Sequence, residues 1–176
     1  RAVAIMANSI KIDDTNPKTL SAFADMLGDL PSAAAPYLAQ SYYEDALKRD
    51  PSFAACRVKL ATLYQSTGNF NQAIRHFRVL ADNDGGKPDA GYYRNLTLCY
   101  LATGREDEGI EFFRSLAERG SPHFGIARAI LLNHGGRSGE AVSLLQGIQR
   151  TARQPEVVAY VEQLAATFIE QEQEGN

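Results

Sequence analysis

A nine-residue pattern occurs twice in this chain, and its spacing constrains the fold more than any other feature. Leu60 to Gly68 and Leu96 to Gly104 both place a large aliphatic residue, a small residue, a tyrosine and a glycine at the same positions. The two copies are offset by 36 residues, and a weaker copy ending at Gly136 lies 32 residues further on. A period near 34 is the length of one helix-turn-helix repeat, which must stack on its neighbours to bury an apolar face.

Local patterns indicate two helices in each repeat. Apolar residues recur at i, i+3, i+4 and i+7, and strict alternation of period two does not persist. Turn-forming residues mark the breaks, namely Gly68, Gly104, Gly135, Gly136, Pro51, Pro88, Pro122 and Pro155. We predict helices at about 1–12, 18–30, 36–49, 53–66, 70–82, 89–102, 106–119, 122–134, 138–150 and 155–172.

Aligning the repeats produces two columns with a packing role. The small column lets paired helices approach closely and contains Ala2, Ala39, Ala73, Gly109 and Ala141. The large column fills the space between neighbouring repeats and contains Met6, Tyr43, Phe77, Phe113 and Leu145. In the first complete repeat, Leu30 fills a further apolar column and Ala34 replaces the glycine.

These columns predict one array over residues 1–176. Its parts are a half repeat at 1–17, repeats at about 18–52, 53–88, 89–121 and 122–154, and a capping helix at 155–172.

The charge balance, the apolar runs and the few cysteines and histidines argue against several classes of function. The chain has 18 Lys+Arg against 21 Asp+Glu, a net charge of −3, whereas a nucleic-acid-binding surface needs a clustered basic excess. No apolar run approaches the ~20 residues of a membrane-spanning helix. The two cysteines, Cys56 and Cys99, form no CxxC motif, and His123 and His134 are separated by roughly 16 Å along a helix. We therefore predict no catalytic residues, no cofactor and no metal.

The first residues of the sequence are relevant to the subcellular location of the protein. It opens on Arg1 with no methionine and no signal-peptide pattern, so we expect a segment of something longer. A cytoplasmic location is slightly favoured, and a periplasmic or membrane-tethered one stays open because the natural N-terminus is expected to be missing.

The repeated residues resemble the tetratricopeptide repeat family over about residues 1–153. The resemblance is carried by Leu60, Ala61, Tyr64, Gly68, Ala73, Phe77, Leu96, Tyr100, Gly104, Phe113 and Pro122. It implies an all-α, right-handed superhelical solenoid of about four helix-turn-helix repeats, with an N-terminal half repeat and a C-terminal capping helix. It also implies that the first helix of each pair lines a concave face that binds proteins without catalysis.

Residues in the columns of that concave face form the predicted binding site. We expect Val58, Leu98, Ile126 and Ile130 to receive apolar anchors of a partner. We expect Lys59, Thr62, Arg94, Asn95 and His123 to supply direction and hydrogen bonds. Co-chaperones of the family hold a C-terminal carboxylate with Lys, Arg and Asn side chains in such columns. Only Asn95 fits that pattern, so the clamp is incomplete.

The sequence thus predicts a non-catalytic scaffold that binds a peptide or an amphipathic helix of another protein. Two alternatives stay open: an adaptor or regulatory region of a larger enzyme or secretion machine, and a secretion-type chaperone. We expect no nucleic-acid partner and no membrane span in this segment, and self-association is left open.

Overall fold

The computed structural model describes residues 16–83 and 89–174, and within these ranges it contains helices and no strand. The helices are α1 (Pro17–Gly28), α2 (Ala35–Arg49), α3 (Ala54–Ser66), α4 (Phe70–Asp82), α5 (Ala90–Thr103), α6 (Glu106–Ser115), α7 (Pro122–His134), α8 (Ser138–Thr151) and α9 (Pro155–Glu174). The predicted all-α, helix-turn-helix fold is therefore confirmed. The predicted helix at 1–12, with Ala2 and Met6, lies outside the described residues.

One backbone motif ends the first helix of three repeats. In each, a glycine adopts the left-handed conformation, which costs other residues a steric penalty. The glycines are Gly68, Gly104 and Gly136, with φ of 77°, 63° and 76°. The next residue then donates its N–H to the carbonyl oxygen four residues before the glycine. These bonds join Asn69 to Tyr64 (2.8 Å), Arg105 to Tyr100 (3.0 Å) and Arg137 to Leu132 (2.8 Å). The repeated glycine in the sequence thus marks the same structural feature, the C-terminal end of a helix, in three repeats.

Two helices end earlier than the sequence predicts. Helix α1 ends at Gly28 rather than at residue 30, because the residue before Pro31 is disfavoured in a helix. Leu30 consequently leaves the helix and is 37% exposed, contrary to the apolar column assigned to it. Helix α6 ends at Ser115, and a 3-10 turn (Ala117–Arg119) continues to the left-handed Gly120.

The two predicted columns are buried where the structure describes them. In the small column Ala39, Ala73, Gly109 and Ala141 are inaccessible or nearly so. In the large column Tyr43, Phe77, Phe113 and Leu145 are buried. A Cβ atom added at Gly109 would lie 2.5 Å from Leu131 Cδ1 and 2.8 Å from Tyr100 Cδ2. Helix α6 therefore approaches its neighbours at a distance that only glycine permits.

The chain divides into two compact units between Asn83 and Asp84. The N-terminal unit contains α1–α4, the helices of two repeats. The C-terminal unit contains α5–α9, two further repeats and the predicted capping helix. Each unit encloses its own buried apolar residues. The prediction of one continuous array over 1–176 stays a prediction.

Candidate functional site

Three of the predicted binding residues lie on α3 of the N-terminal unit. Lys59 and Thr62 are exposed, and Val58 is half-buried. The ammonium of Lys59 already has a partner, because its Nζ donates to Asp25 Oδ2 at 2.6 Å. The other carboxylate oxygen of Asp25 accepts from the hydroxyl of Tyr43, also at 2.6 Å. Burial and this hydrogen bond to Asp25 raise the pKa of Tyr43. Lys59 is thus part of an internal network of α1, α2 and α3.

Five other predicted residues line one groove in the C-terminal unit, with a volume of about 340 Å³. They are Arg94, Leu98, His123, Ile126 and Ile130. Asn95 is half-buried on the same helix as Arg94 and is not among the lining residues. The groove therefore brings together the apolar anchors predicted on α5 and α7, without the amide that the family's clamp would use.

The groove has a buried floor and an exposed rim. Ile126 and Ala127 on α7 form the floor and are only 8% and 4% exposed. Leu98 on α5 and Tyr160 on α9 form the rim and are 44% and 49% exposed. The two exposed apolar side chains of the rim are in contact with water. A partner that covered them would bury their apolar surface, which is favourable.

Charged side chains stand on opposite walls of the groove. Arg94 lies on the α5 wall and Glu156 on the α9 wall, and His123 lies in the first turn of α7 between them. Arg94 and Glu156 make no ion pair with any residue of the described ranges. Both charges are therefore available to a ligand.

Sequence reasoning missed the third wall of the groove. Helix α9 was predicted only as a cap, yet Glu156, Val157 and Tyr160 line the groove. The helix is held in place by the burial of Val161 and Phe168. Two amide hydrogen bonds assist, from Asn133 Nδ2 to Gln171 Oε1 (3.1 Å) and from Gln149 Nε2 to Glu162 Oε1 (2.6 Å). The available signal was Tyr160, an aromatic residue outside the stripe of Val157, Val161, Leu164 and Phe168.

Histidine and tyrosine side chains form a second cluster, in the N-terminal unit. The ring of His76 on α4 stacks on that of Tyr64, with centroids 5.6 Å apart. Arg57 Nη1 lies 3.3 Å from His76 Nδ1, and because a guanidinium only donates, Nδ1 is the acceptor. The hydroxyl of Tyr64 donates to Glu44 Oε1. This cluster links α2, α3 and α4.

The remaining candidate groups, two cysteines and one histidine, are buried or paired. Cys56 and Cys99 are free and buried, and burial raises the pKa of Cys99 to about 11. His134 Nδ1 lies 2.9 Å from Glu106 Oε1. Residues 16–83 and 89–174 contain no cluster of ligands able to hold a metal ion. In the same ranges no helix has the length and hydropathy needed to cross a bilayer.

Paired helices of one period, three of the pairs joined by the same glycine turn, define an α-helical repeat protein. Solved structures share this fold. MamA is 19% identical, with a TM-score of 0.62 over 94% of this chain and 90% of MamA. YrrB, a tetratricopeptide-repeat protein with an unusual peptide-binding site, is 15% identical, with a TM-score of 0.57 over 96% of this chain and 84% of YrrB. PilF of Pseudomonas aeruginosa is 18% identical, with a TM-score of 0.55 over 94% and 79% of the two chains.

The sequence profile of the tetratricopeptide repeat family matches residues 28–96. No protein of curated function matches the chain in sequence. Residues 28–96 are therefore similar to tetratricopeptide repeats, and the chain shares the helix-turn-helix repeat fold of the solved structures. Repeats of this family generally act as non-catalytic scaffolds for protein–protein interaction.

Proposed function

We propose that the groove between α5, α7 and α9 binds an apolar segment of a partner protein and that the protein acts as a non-catalytic scaffold. The observation that carries the proposal is the exposure of Leu98 and Tyr160 on facing walls above a buried apolar floor. A volume of about 340 Å³ lies within the usual range of ligand-binding clefts. The peptide-binding site of the structurally similar YrrB is a precedent for this use of the fold.

The proposal assigns roles to the predicted residues that line the groove. Leu98, Ile126 and Ile130 would contact apolar side chains of the partner, since apolar burial supplies most of the free energy of such binding. Arg94 and His123 would fix its direction by charge and hydrogen bonding. Lys59 has no such role in this proposal, because Asp25 already neutralises it.

The test is partner capture by the full chain with two matched pairs of variants. Leu98→Asp places a charge on the groove rim, and Leu38→Asp places the same charge on an aliphatic residue of similar exposure on α2 (49%). Arg94→Glu is matched in the same way by Arg75→Glu on α4. Proteins captured by the wild type should be retained by Leu38→Asp and Arg75→Glu and lost by Leu98→Asp. The opposite pattern would refute the groove as the binding site.

A further inference from the structure

Building on the proposed function, we infer that the occupant of the groove is an amphipathic α-helix of the partner rather than an extended segment. The inference rests on which hydrogen-bonding groups the groove can offer. It also uses the length of the groove and the position of its charges.

Half of the residues that line the groove offer no hydrogen-bonding side chain to a peptide backbone. These apolar residues are Leu98, Leu101, Ile126, Ala127, Ile130 and Val157. The hydroxyl of Thr97 also lies in the lining, but the residue is buried and donates to the carbonyl oxygen of Tyr93 at 2.7 Å. The remaining polar atoms of the lining belong to Arg94, His123, Glu156 and the tyrosines.

An extended segment has unpaired backbone N–H and C=O groups at every residue, and burying them without partners costs free energy. The walls supply few of those partners, because beyond the first turn of each helix the backbones of α5, α7 and α9 are hydrogen-bonded within the helix. A helical ligand satisfies its backbone internally and presents only side chains to the groove. The chemistry of the lining therefore selects a helix.

The length of the groove fits two turns of such a helix. From Arg94 to Leu101 on α5, and from His123 to Ile130 on α7, the lining spans seven residues, or about 10 Å of helix. Apolar side chains at i, i+3 or i+4, and i+7 of a ligand helix cover the same length. Three apolar anchors in one stripe are thus the expected recognition element.

The two rim charges fix how the ligand helix is rotated about its axis. Arg94 and Glu156 stand on opposite walls, with the floor helix α7 between them. A helix lying over α7 would meet Arg94 on one flank and Glu156 on the other. Charge complementarity then requires an acidic residue beside the apolar stripe on the first flank and a basic residue on the second.

The experiment is selection of displayed random peptides of about 15 residues on the full chain. Selected peptides are synthesised, and their affinity for the wild type, Leu98→Asp and Leu38→Asp is measured by fluorescence anisotropy. In each peptide a residue on the face opposite the apolar stripe, away from both charged flanks, is also replaced by glycine or by proline. Because that residue makes no contact, only its effect on helix formation can change the affinity.

We expect apolar residues spaced by three, four and seven, and a gain of helical circular dichroism on binding. Proline should weaken binding at least about tenfold and glycine about fivefold, in line with their helix propensities. Arg94→Glu should weaken binding of peptides that carry the acidic flank, and more so at low salt.

Each contrary result has a distinct meaning. Apolar residues alternating with period two, with affinity unchanged by proline, would show an extended ligand and overturn the inference while the proposed function stands. Peptides that bind Leu98→Asp as well as the wild type would overturn the proposed function itself. A concentration-dependent dimer in analytical ultracentrifugation that Leu98→Asp abolishes would show that a second copy of this chain fills the groove.

Discussion

Two helical glycines of the C-terminal unit differ in the space around them, because one is crowded by neighbouring side chains and the other is not. Replacing each by alanine therefore tests how closely the helices pack at that residue. Gly109 on α6 faces the ring of Tyr100 and the side chain of Leu131, whereas no atom lies within 4 Å of a Cβ added at Gly147 on α8. Gly109→Ala should destabilise the fold by about 1–3 kcal/mol through overpacking. Gly147→Ala should stabilise it by about 0.5–1 kcal/mol, since alanine is the better helix former. Urea unfolding of both variants measures the signs, and a stabilising Gly109→Ala would contradict the close approach of α6.

The large column makes a second residue-scale prediction. Phe113 is fully buried and its ring meets those of Tyr93, Tyr100 and Phe112 edge-on. Phe113→Ala should lower the free energy of unfolding by roughly 3–5 kcal/mol, as aromatic truncations in cores do. Val79→Ala on α4 is the control, because Val79 is 39% exposed and exposed changes usually cost less than about 0.5 kcal/mol. Equal effects in the two variants would show that the repeat register is wrong at Phe113.

Lys59 shows what the sequence could and could not reveal at this scale. The sequence predicted the helix that contains Lys59, but it did not predict the pairing of Lys59 with Asp25. The two residues are 34 positions apart, so the repeat period itself places opposite charges in the same column of adjacent repeats. Two side chains in the same column form an ion pair only if their helices pack closely enough. The spacing of residues in the sequence does not specify that distance.

At the scale of helices, the sequence predicted most helix boundaries to within one or two residues. These boundaries are set by nearby residues such as glycine and proline, which the sequence shows directly. Glycine in the left-handed conformation ends α3 and α5, and proline opens α7 and α9. Helix α9 was predicted with nearly the right length but an incomplete role. Its apolar stripe packs on the unit, while Tyr160 points instead to the rim of the groove. That second role follows from the placement of α9 beside α7, a tertiary feature without a local signal.

The packing of α2, α3 and α4 should make stability depend on pH through His76. Burial lowers the pKa of His76 below its ordinary 6.5, the charges of Arg57 and Arg75 lower it further, and Glu44 opposes them. Between the folded-state pKa and 6.5 the unfolded chain therefore binds more protons, so stability falls as pH drops through 6.5 and levels off below the folded-state pKa. Protonation would also remove the acceptor that Nδ1 offers to Arg57.

We expect the melting temperature to fall between about pH 7.5 and about pH 5.5, and His76→Gln to reduce that fall. Melting curves at both pH values for the wild type, His76→Gln and His123→Gln measure the difference. The side chain of His123 has no ion pair with a described residue, so its variant controls for the replacement of a histidine elsewhere in the chain. A pH dependence in His76→Gln equal to that of the wild type would exclude His76 as its source.

At the scale of the whole molecule, the two compact units contain different kinds of surface. In the N-terminal unit the first-helix charges Asp25 and Lys59 neutralise each other. In the C-terminal unit Arg94 and Glu156 make no ion pair with a described residue, and half of the residues that line their groove are apolar. Repeat proteins allow such a division, since each repeat draws its stability from its immediate neighbours. The proposed binding function therefore belongs to α5–α9.

This division predicts that residues 89–176 fold and bind without the N-terminal unit. The large side chains of this unit pack against one another, as in the edge-on contacts of Tyr93 with Phe113 and Phe124, with ring centroids 6.2 and 4.8 Å apart. All the residues that line the groove also belong to this unit.

A fragment of residues 89–176 should show helical circular dichroism and a cooperative melting transition. It should also bind the selected peptides within a few-fold of the full chain, a difference of about 1 kcal/mol or less. The same fragment carrying Phe113→Ala should lose the transition, which controls for residual helix in an unfolded chain. A wild-type fragment without a cooperative transition would show that α5–α9 require the N-terminal unit to fold.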